Sequence, residues 1–268
     1  MLSQVLLLKG EYEALQLHGV LNYDKFNHYT ITHHSTTIEG STLTEIDTQL
    51  LLDEGITPKG KPLEHSLMVK DHYEALRFVL KAAESKTEVT PSFIQQINAK
   101  VMNATGSVYQ TVFGEIDASK GMFRKGNVSA GGSYFVNYDK VEPLIMRLCS
   151  QVSQALLQAD TIEKQLSLSF TAHFDLVTIH PFYDGNGRTS RLLMDYLQQY
   201  FKLPLAIVFK EDKADYFTAL TETRSKEDIS IFKNFMFGQY SKFLGQQVFE
   251  YKKIIDSKDG KKLFSYVF

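Results

Sequence analysis

Spacing of apolar and polar residues reads the chain as a run of helices interrupted once. Val5, Leu8, Tyr12 and Leu15 share one helical face within residues 1–30, which break around Gly19. Thr44 with Asp47 three positions on is a capping pair, opening a helix that closes at Gly55. Residues 57–62, with two prolines, form a linker. A long helix follows over 63–85, striped by Leu67, Ala75, Leu76, Val79 and Leu80. Thr90 before Pro91 starts another, which runs to about Ala104. From 105 to 137 glycine rises and helical periodicity fades, and Val128 to Val136, broken by Gly131-Gly132, reads as a short β-hairpin. Helices resume at 140–158, 161–178, 186–201, 212–224 and 228–251, with an apolar run from Leu205 to Phe209 between the third and fourth. The charged stretch from Asp256 to Lys262 is expected to be mobile. The expected class is mainly α-helical with one small hairpin.

The chemistry concentrates at Ile179-His-Pro-Phe-Tyr-Asp184-Gly-Asn-Gly-Arg188-Thr-Ser-Arg191. His180 titrates near neutral pH and can take a proton. Asp184 offers the hard oxygen ligands that suit Mg²⁺. Gly185 and Gly187 keep side chains away, so that backbone N–H groups can face an anion. Leu192, Leu193, Tyr196, Leu197 and Tyr200 follow at helical spacing, so the turn opens a helix, where phosphate binds well. Arg188 and Arg191 lie on neighbouring positions of its first turn. No lysine follows the last glycine, which sets the turn apart from a Walker A loop.

Composition excludes several alternatives. Lys and Arg total 29 against 31 Asp and Glu, so no basic excess exists to drive nucleic-acid binding. The single cysteine, Cys149, rules out an internal disulfide and fits a reducing cytoplasm. No apolar stretch approaches the ~20 residues of a membrane span, and the N-terminal apolar run lacks the flanks of a signal peptide. A soluble cytoplasmic protein is expected. Histidines 18, 28, 33, 34, 65 and 72 show no zinc spacing, and His173 reads as a core residue bonded to backbone.

The segment from His180 to Arg191 resembles the signature of the Fic family, H-P-F-x-[DE]-G-N-G-R-x-x-R, at every fixed position. The resemblance implies a Fic-type helical core with a small β-hairpin flap, and an enzyme that moves AMP from ATP to a hydroxyl side chain of a protein. It makes His180 the general base and Asp184 the ligand of Mg²⁺ (or Mn²⁺). Gly185, Asn186, Gly187, Arg188 and Arg191 become the ATP-phosphate contacts. Gly121 to Gly132 resembles the flap that holds the target chain by strand pairing, which assigns Ala130, Gly131, Gly132 and Ser133 to substrate binding. Asp215 to Leu220 resembles the segment whose tyrosine lies beside adenine, here Tyr216, and Arg224 stands where the family often carries asparagine.

Upstream, Ser35-Thr-Thr-Ile-Glu39-Gly40 resembles the family's inhibitory pattern [ST]-x-x-x-E-[GN]. The resemblance pairs Glu39 with Arg191, its carboxylate standing where a γ-phosphate would sit and screened from water. On this reading residues 1–89 form an N-terminal helical region carrying the inhibitory motif, 90–236 the Fic catalytic core, and 237–268 a C-terminal helical extension.

The expected function is a protein adenylyltransferase autoinhibited by Glu39. Two cationic side chains near His180 would favour its neutral form. Three alternatives stay open: a hydrolase that removes AMP with Glu39 orienting water, a transferase with a different donor, and a non-catalytic nucleotide-sensing module. The expected partner is a protein with a Tyr, Thr or Ser hydroxyl, with self-modification also expected and room for a homodimer. Neither nucleic acid nor membrane is expected.

Overall fold

The computed structural model describes residues 2–16, 23–112, 114–130 and 133–256. Its helices are α1 (Leu2–Ala14), α2 (Tyr23–Ile38), α3 (Glu45–Glu54), α4 (Leu63–Glu84), α5 (Pro91–Val101), α6 (Val141–Leu156), α7 (Ile162–Ile179), α8 (Asn186–Tyr200), α9 (Lys213–Lys226) and α10 (Ile229–Asp256). Two hairpins lie between α5 and α6. In the first, β1 (Val108–Thr111) pairs antiparallel with β2 (Gly114–Asp117), Val108 opposite Asp117. In the second, β3 (Ser129–Ala130) pairs with β4 (Ser133–Tyr134), Ser129 opposite Tyr134.

The central element is α8. It packs against α7, α4, α5 and α2, and Leu192, Leu193, Tyr196 and Leu197 are fully buried. Burying each such side chain contributes about 1.5–3 kcal/mol, which fixes the N-terminal turn of α8 firmly. One apolar cluster runs from Val5 to Val248 and takes in all of these helices except α3. Leu43, Leu51 and Val69 form a small satellite that pins α3 to α4.

Local capping follows the sequence closely. Thr44 and Asp47 form a reciprocal capping box, Gly55 ends α3 in the left-handed conformation, and Thr90 caps α5 with Pro91 in its first turn. Four expectations are corrected. The second helix of the N-terminal stretch, α2, runs on to Ile38, well past residue 30. Its buried face includes His33, His34, Ser35 and Thr36, polar residues that hide the apolar period. The helix from Thr90 stops at Val101, capped by Met102. The β1–β2 hairpin was not expected, because its strands are mostly exposed and carry no clean alternation. The Val128–Val136 hairpin shrinks to two residues a strand. Gly19, Gly131, Gly132 and the tail beyond Asp256 lie outside the described residues.

Candidate active site

His180 is the left-handed C-terminal cap of α7, with φ +52° and ψ 60°. Histidine is among the few side chains that tolerate this region, at a strain of order 1–3 kcal/mol. Its N–H donates to the Leu176 carbonyl at 3.1 Å. Its ring lies parallel to that of Phe135, centroids 3.8 Å apart and 14° between planes. Burial pushes the imidazole pKa down to about 4; the Val177 carbonyl pulls the other way, and Arg124 and Arg224 add to the depression. The neutral form was expected. The cations that favour it are these two and not the arginines of the signature.

The turn after His180 is braced by side chains. Phe182, fully buried, exchanges two hydrogen bonds with the Asn186 amide, N–H to Oδ1 and Nδ2–H to carbonyl, both at 2.9 Å. The Asn186 side chain therefore shapes the loop. Gly185 caps α8 with φ +77°. A Cβ there would also stand 2.8 Å from both Asn98 Nδ2 and Met102 Sδ, so only glycine fits. Asn98, which the sequence did not single out, donates to the Asp184 carbonyl at 3.0 Å and to Thr189 Oγ1 at 3.1 Å.

This end of α8 is built to receive an anion. No side chain caps its first turn. Arg188 is buried, and its Nε and Nη1 have no hydrogen-bond partner; Nη2 meets the Met102 sulfur at 3.3 Å and lies 3.5 Å from Asp184 Oδ1. Buried unmet guanidinium donors are costly unless a ligand takes them. Burial holds His72 and His173 neutral as well, and the positive field of Arg191 adds to both effects. Asp184 is half exposed, its Oδ1 accepting the Gly185 N–H at 2.5 Å. Among the described residues no cluster of three or more His, Cys, Asp or Glu could hold a metal alone. One half-exposed carboxylate beside unmet anion donors nonetheless has the chemistry that suits Mg²⁺, which keeps waters of its own.

Arg191 is occupied. Its Nε donates to Ser35 Oγ at 2.9 Å, and its Nη2 to the Ser35 carbonyl at 3.0 Å and to Glu39 Oε1 at 2.6 Å. Ser35 and Glu39 are one helical turn apart, which puts both on the face of α2 that meets α8. Gly40, with φ +106°, then stops the helix: its N–H returns to Thr37 and that of Ser41 to Thr36. Burial opposes ionising Glu39, but Arg191 and then Arg188 outweigh it and hold the carboxyl below its ordinary value. The pair is less screened than expected. The Arg191 side chain is buried, whereas 29% of the Glu39 side chain stays exposed.

Tyr216 is fully buried, its hydroxyl 2.8 Å from His173 Nε2. His173 thus bonds a side chain and not backbone. Arg224 lies over the Phe135 ring, 5.8 Å from its centroid, and Phe135 in turn stacks on His180. Ala130 and Ser133 are paired across the second hairpin. A concavity of about 680 Å³, lined by residues such as Lys25, His28, Arg77 and Lys100, holds none of the signature residues. With Glu39 on Arg191, the site itself is partly filled from within.

Residues 88–198 match the profile of the Fic/DOC family. Over 207 residues the chain is 29% identical to the protein adenylyltransferase Fic of Drosophila erecta, and over 209 residues 29% identical to that of Drosophila willistoni. These alignments take in 76% of this chain, which spans 38% of the length of either relative. The fold resembles that of a Fic domain containing signaling protein from Bacteroides thetaiotaomicron, with TM-score 0.78 and 21% identity over 91% of this chain and 96% of that one. It also resembles Fic-1 from C. elegans, with TM-score 0.74 and 20% identity over 93% and 72% of the two chains. Signature, profile and sequence similarity thus converge on one segment: residues 88–198 match the Fic/DOC family, and the chain has a fold similar to that of Fic proteins.

Proposed function

We propose that the chain is a protein adenylyltransferase, moving AMP from ATP to a Tyr, Thr or Ser hydroxyl of another protein, and that Glu39 holds it inactive. The observation that carries this reading is the meeting, at one end of α8, of a neutral imidazole with a set of unmet anion donors. The similarity to adenylyltransferases from Drosophila supports the same activity.

In this reading His180 accepts the proton of the attacking hydroxyl. The new bond joins that oxygen to the α-phosphorus, and pyrophosphate leaves with the electrons of the broken P–O bond. A base so positioned typically contributes ~10²–10⁴-fold. The first-turn amides of α8 and Arg188 hold phosphate oxygens, and Arg191 receives the γ-phosphate once Glu39 has left it. Asp184 is the residue that would hold Mg²⁺, which supplies charge neutralisation on the phosphates. The second hairpin, around Ala130 to Ser133, holds the target chain by backbone pairing. Residues 1–89 then act as the regulatory part and 90–236 as the catalytic core. The buried free thiol of Cys149 supports a reducing, cytoplasmic setting.

The test is incubation of the wild type and Glu39→Gly with labelled ATP, Mg²⁺ and cell lysate, followed by mass spectrometry of labelled proteins. Label should appear on protein hydroxyls, the enzyme's own among the first, and chiefly with Glu39→Gly. Binding of ATP without transfer by either form would overturn the transferase reading in favour of a nucleotide-sensing module.

A further inference from the structure

Arg124 is 2% exposed, and no carboxylate pairs with it in the described residues. Among the described residues its side-chain hydrogen bonds run to backbone carbonyls: Nε to His180 at 2.8 Å, Nη1 to Gly126 at 2.8 Å, Nη2 to Val136 at 2.5 Å. Its own N–H donates to the Pro181 carbonyl at 2.9 Å. A buried guanidinium held only by carbonyls is an uneconomical way to build a core, so its reason lies in what those carbonyls belong to. One, His180, starts the signature turn, whose next carbonyl, Pro181, takes the Arg124 backbone N–H. The others, Gly126 and Val136, are the two feet of the second hairpin. One rigid, planar fork thus ties the base to the element proposed to carry the target chain.

We infer that Arg124 is the positioning residue that fixes His180 and the substrate-holding hairpin in one frame. The inference rests on the transferase reading above, and adds to it how base and acceptor hydroxyl are brought into register. Two further contacts support it. Phe135, adjacent to Val136, stacks on the His180 ring at 3.8 Å, so the hairpin's second foot also sets the face of the imidazole. The left-handed backbone of His180 needs an external hold, and its carbonyl finds one in Arg124. Charged groups that act on the imidazole are Arg124 from this segment, Arg224 from α9 and Glu39 from α2.

The test compares Arg124→Ala and Arg124→Lys in the Glu39→Gly background. It reads kcat, ATP affinity in the presence of Mg²⁺, and the His180 ring resonances by NMR, which the stacked Phe135 ring shields in the parent. Arg124→Ala should lower kcat by about 10²-fold, the loss expected from misplacing reacting groups by about 1 Å. ATP affinity should hold, and the His180 resonances should lose their shielding. Arg124→Lys keeps the charge but brings one point donor to three carbonyls, so it should recover only a minor part. Unchanged kcat with unmoved resonances would overturn the inference, and so would parallel loss of kcat and ATP affinity with the stack intact. If Arg124→Ala does not fold, Arg124→Lys decides alone: kcat and resonances like the parent's overturn it. If the Glu39→Gly parent transfers nothing, the transferase reading fails, while the His180 resonances still decide what Arg124 holds.

Discussion

Removing Glu39 should weaken the fold and enable the site at once, and both effects can be sized. Arg191 is buried and keeps two bonds to Ser35 when the carboxylate is gone. Loss of one partner from a fully buried ion pair costs roughly 3–5 kcal/mol. With 29% of the Glu39 side chain in solvent, and Ser35 still in place, we expect about 2 kcal/mol. For a chain of this size that is a fall in Tm of roughly 4–8 °C. The assay is a thermal scan of wild type and Glu39→Gly, with and without ATP and Mg²⁺, alongside protein labelling. At nucleotide about 100 times its Kd, Glu39→Gly should regain about 2.7 kcal/mol, while the wild type gains much less. Labelling should rise with Glu39→Gly and fall with Arg191→Ala. The double variant should behave as Arg191→Ala, because releasing the carboxylate cannot help once the phosphate contact is lost. The sign with pH also follows. Glu39 has a folded-state pKa below its unfolded value, so its contribution is full above the ordinary carboxyl pKa and lost as pH falls through the depressed one. The Tm gap between the two proteins should hold from neutrality down to mild acid and close below that. If Glu39→Gly neither labels protein nor gains nucleotide-dependent stability, the inhibitory role of Glu39 is refuted.

His180→Ala should abolish transfer and leave ATP binding nearly intact, since the imidazole acts on the hydroxyl; comparable labelling by the alanine variant would remove the base from the mechanism. In the Glu39→Gly background, the acid limb of kcat/KM that belongs to His180 should fall near pH 4 and not near 6.5, because burial disfavours the imidazolium. A limb near 6.5 would mean the ring is hydrated in the working enzyme. Activity should need Mg²⁺ or Mn²⁺ and be lost with Asp184→Ala; full activity in excess EDTA would refute the metal role of Asp184.

What the sequence made readable was what is close along the chain. The turn from His180 to Arg191 is contiguous, and its glycines, arginines and following apolar stripe specify a helix start that presents donors. The Thr44–Asp47 box and the Thr90 cap are bonds across three residues, so local chemistry is enough to read them. The rest depends on contacts between distant segments. Asn98 reaches Asp184 and Thr189 from α5, and Arg124 reaches across to Val136 and back to His180; nothing in spacing announces either. The inner face of α2 is polar because it lies against Arg191 and the Leu205–Phe209 run. His34 Nδ1, for instance, accepts the Lys210 N–H at 3.1 Å. A face chosen for hydrogen bonding carries no apolar period, so the helix that leads into Glu39 was the one least visible as a helix.

Gly187 separates two ways in which Glu39 can inhibit. Either its carboxylate stands where the γ-phosphate must stand, or it merely holds α2 against α8 while the phosphate binds elsewhere. A Cβ at Gly187 would lie within contact of Glu39 Oε1 and 3.2 Å from Arg191 Nη1, so it projects into the space where carboxylate and guanidinium meet. Gly187 lies in the first turn of α8, and no positive φ is needed there, so alanine disturbs the space and not the backbone. In both cases Gly187→Ala pushes Glu39 off Arg191, and stability in the absence of nucleotide should fall as it does for Glu39→Gly. The cases part when ATP is added. If carboxylate and γ-phosphate share one place, the same methyl group excludes both. Gly187→Ala then stays inactive, and the double variant with Glu39→Gly gains no nucleotide-dependent stability. If the two occupy different places, evicting Glu39 is enough and Gly187→Ala labels protein like Glu39→Gly. We expect the first outcome, because Glu39 holds Arg191 Nη2 and the unmet Nη1 lies 3.2 Å from the same Cβ, so a phosphate on the open edge of the guanidinium meets the methyl group too. Labelling by Gly187→Ala at the rate of Glu39→Gly would show that the carboxylate acts as a latch on α2 and not as a stand-in for phosphate.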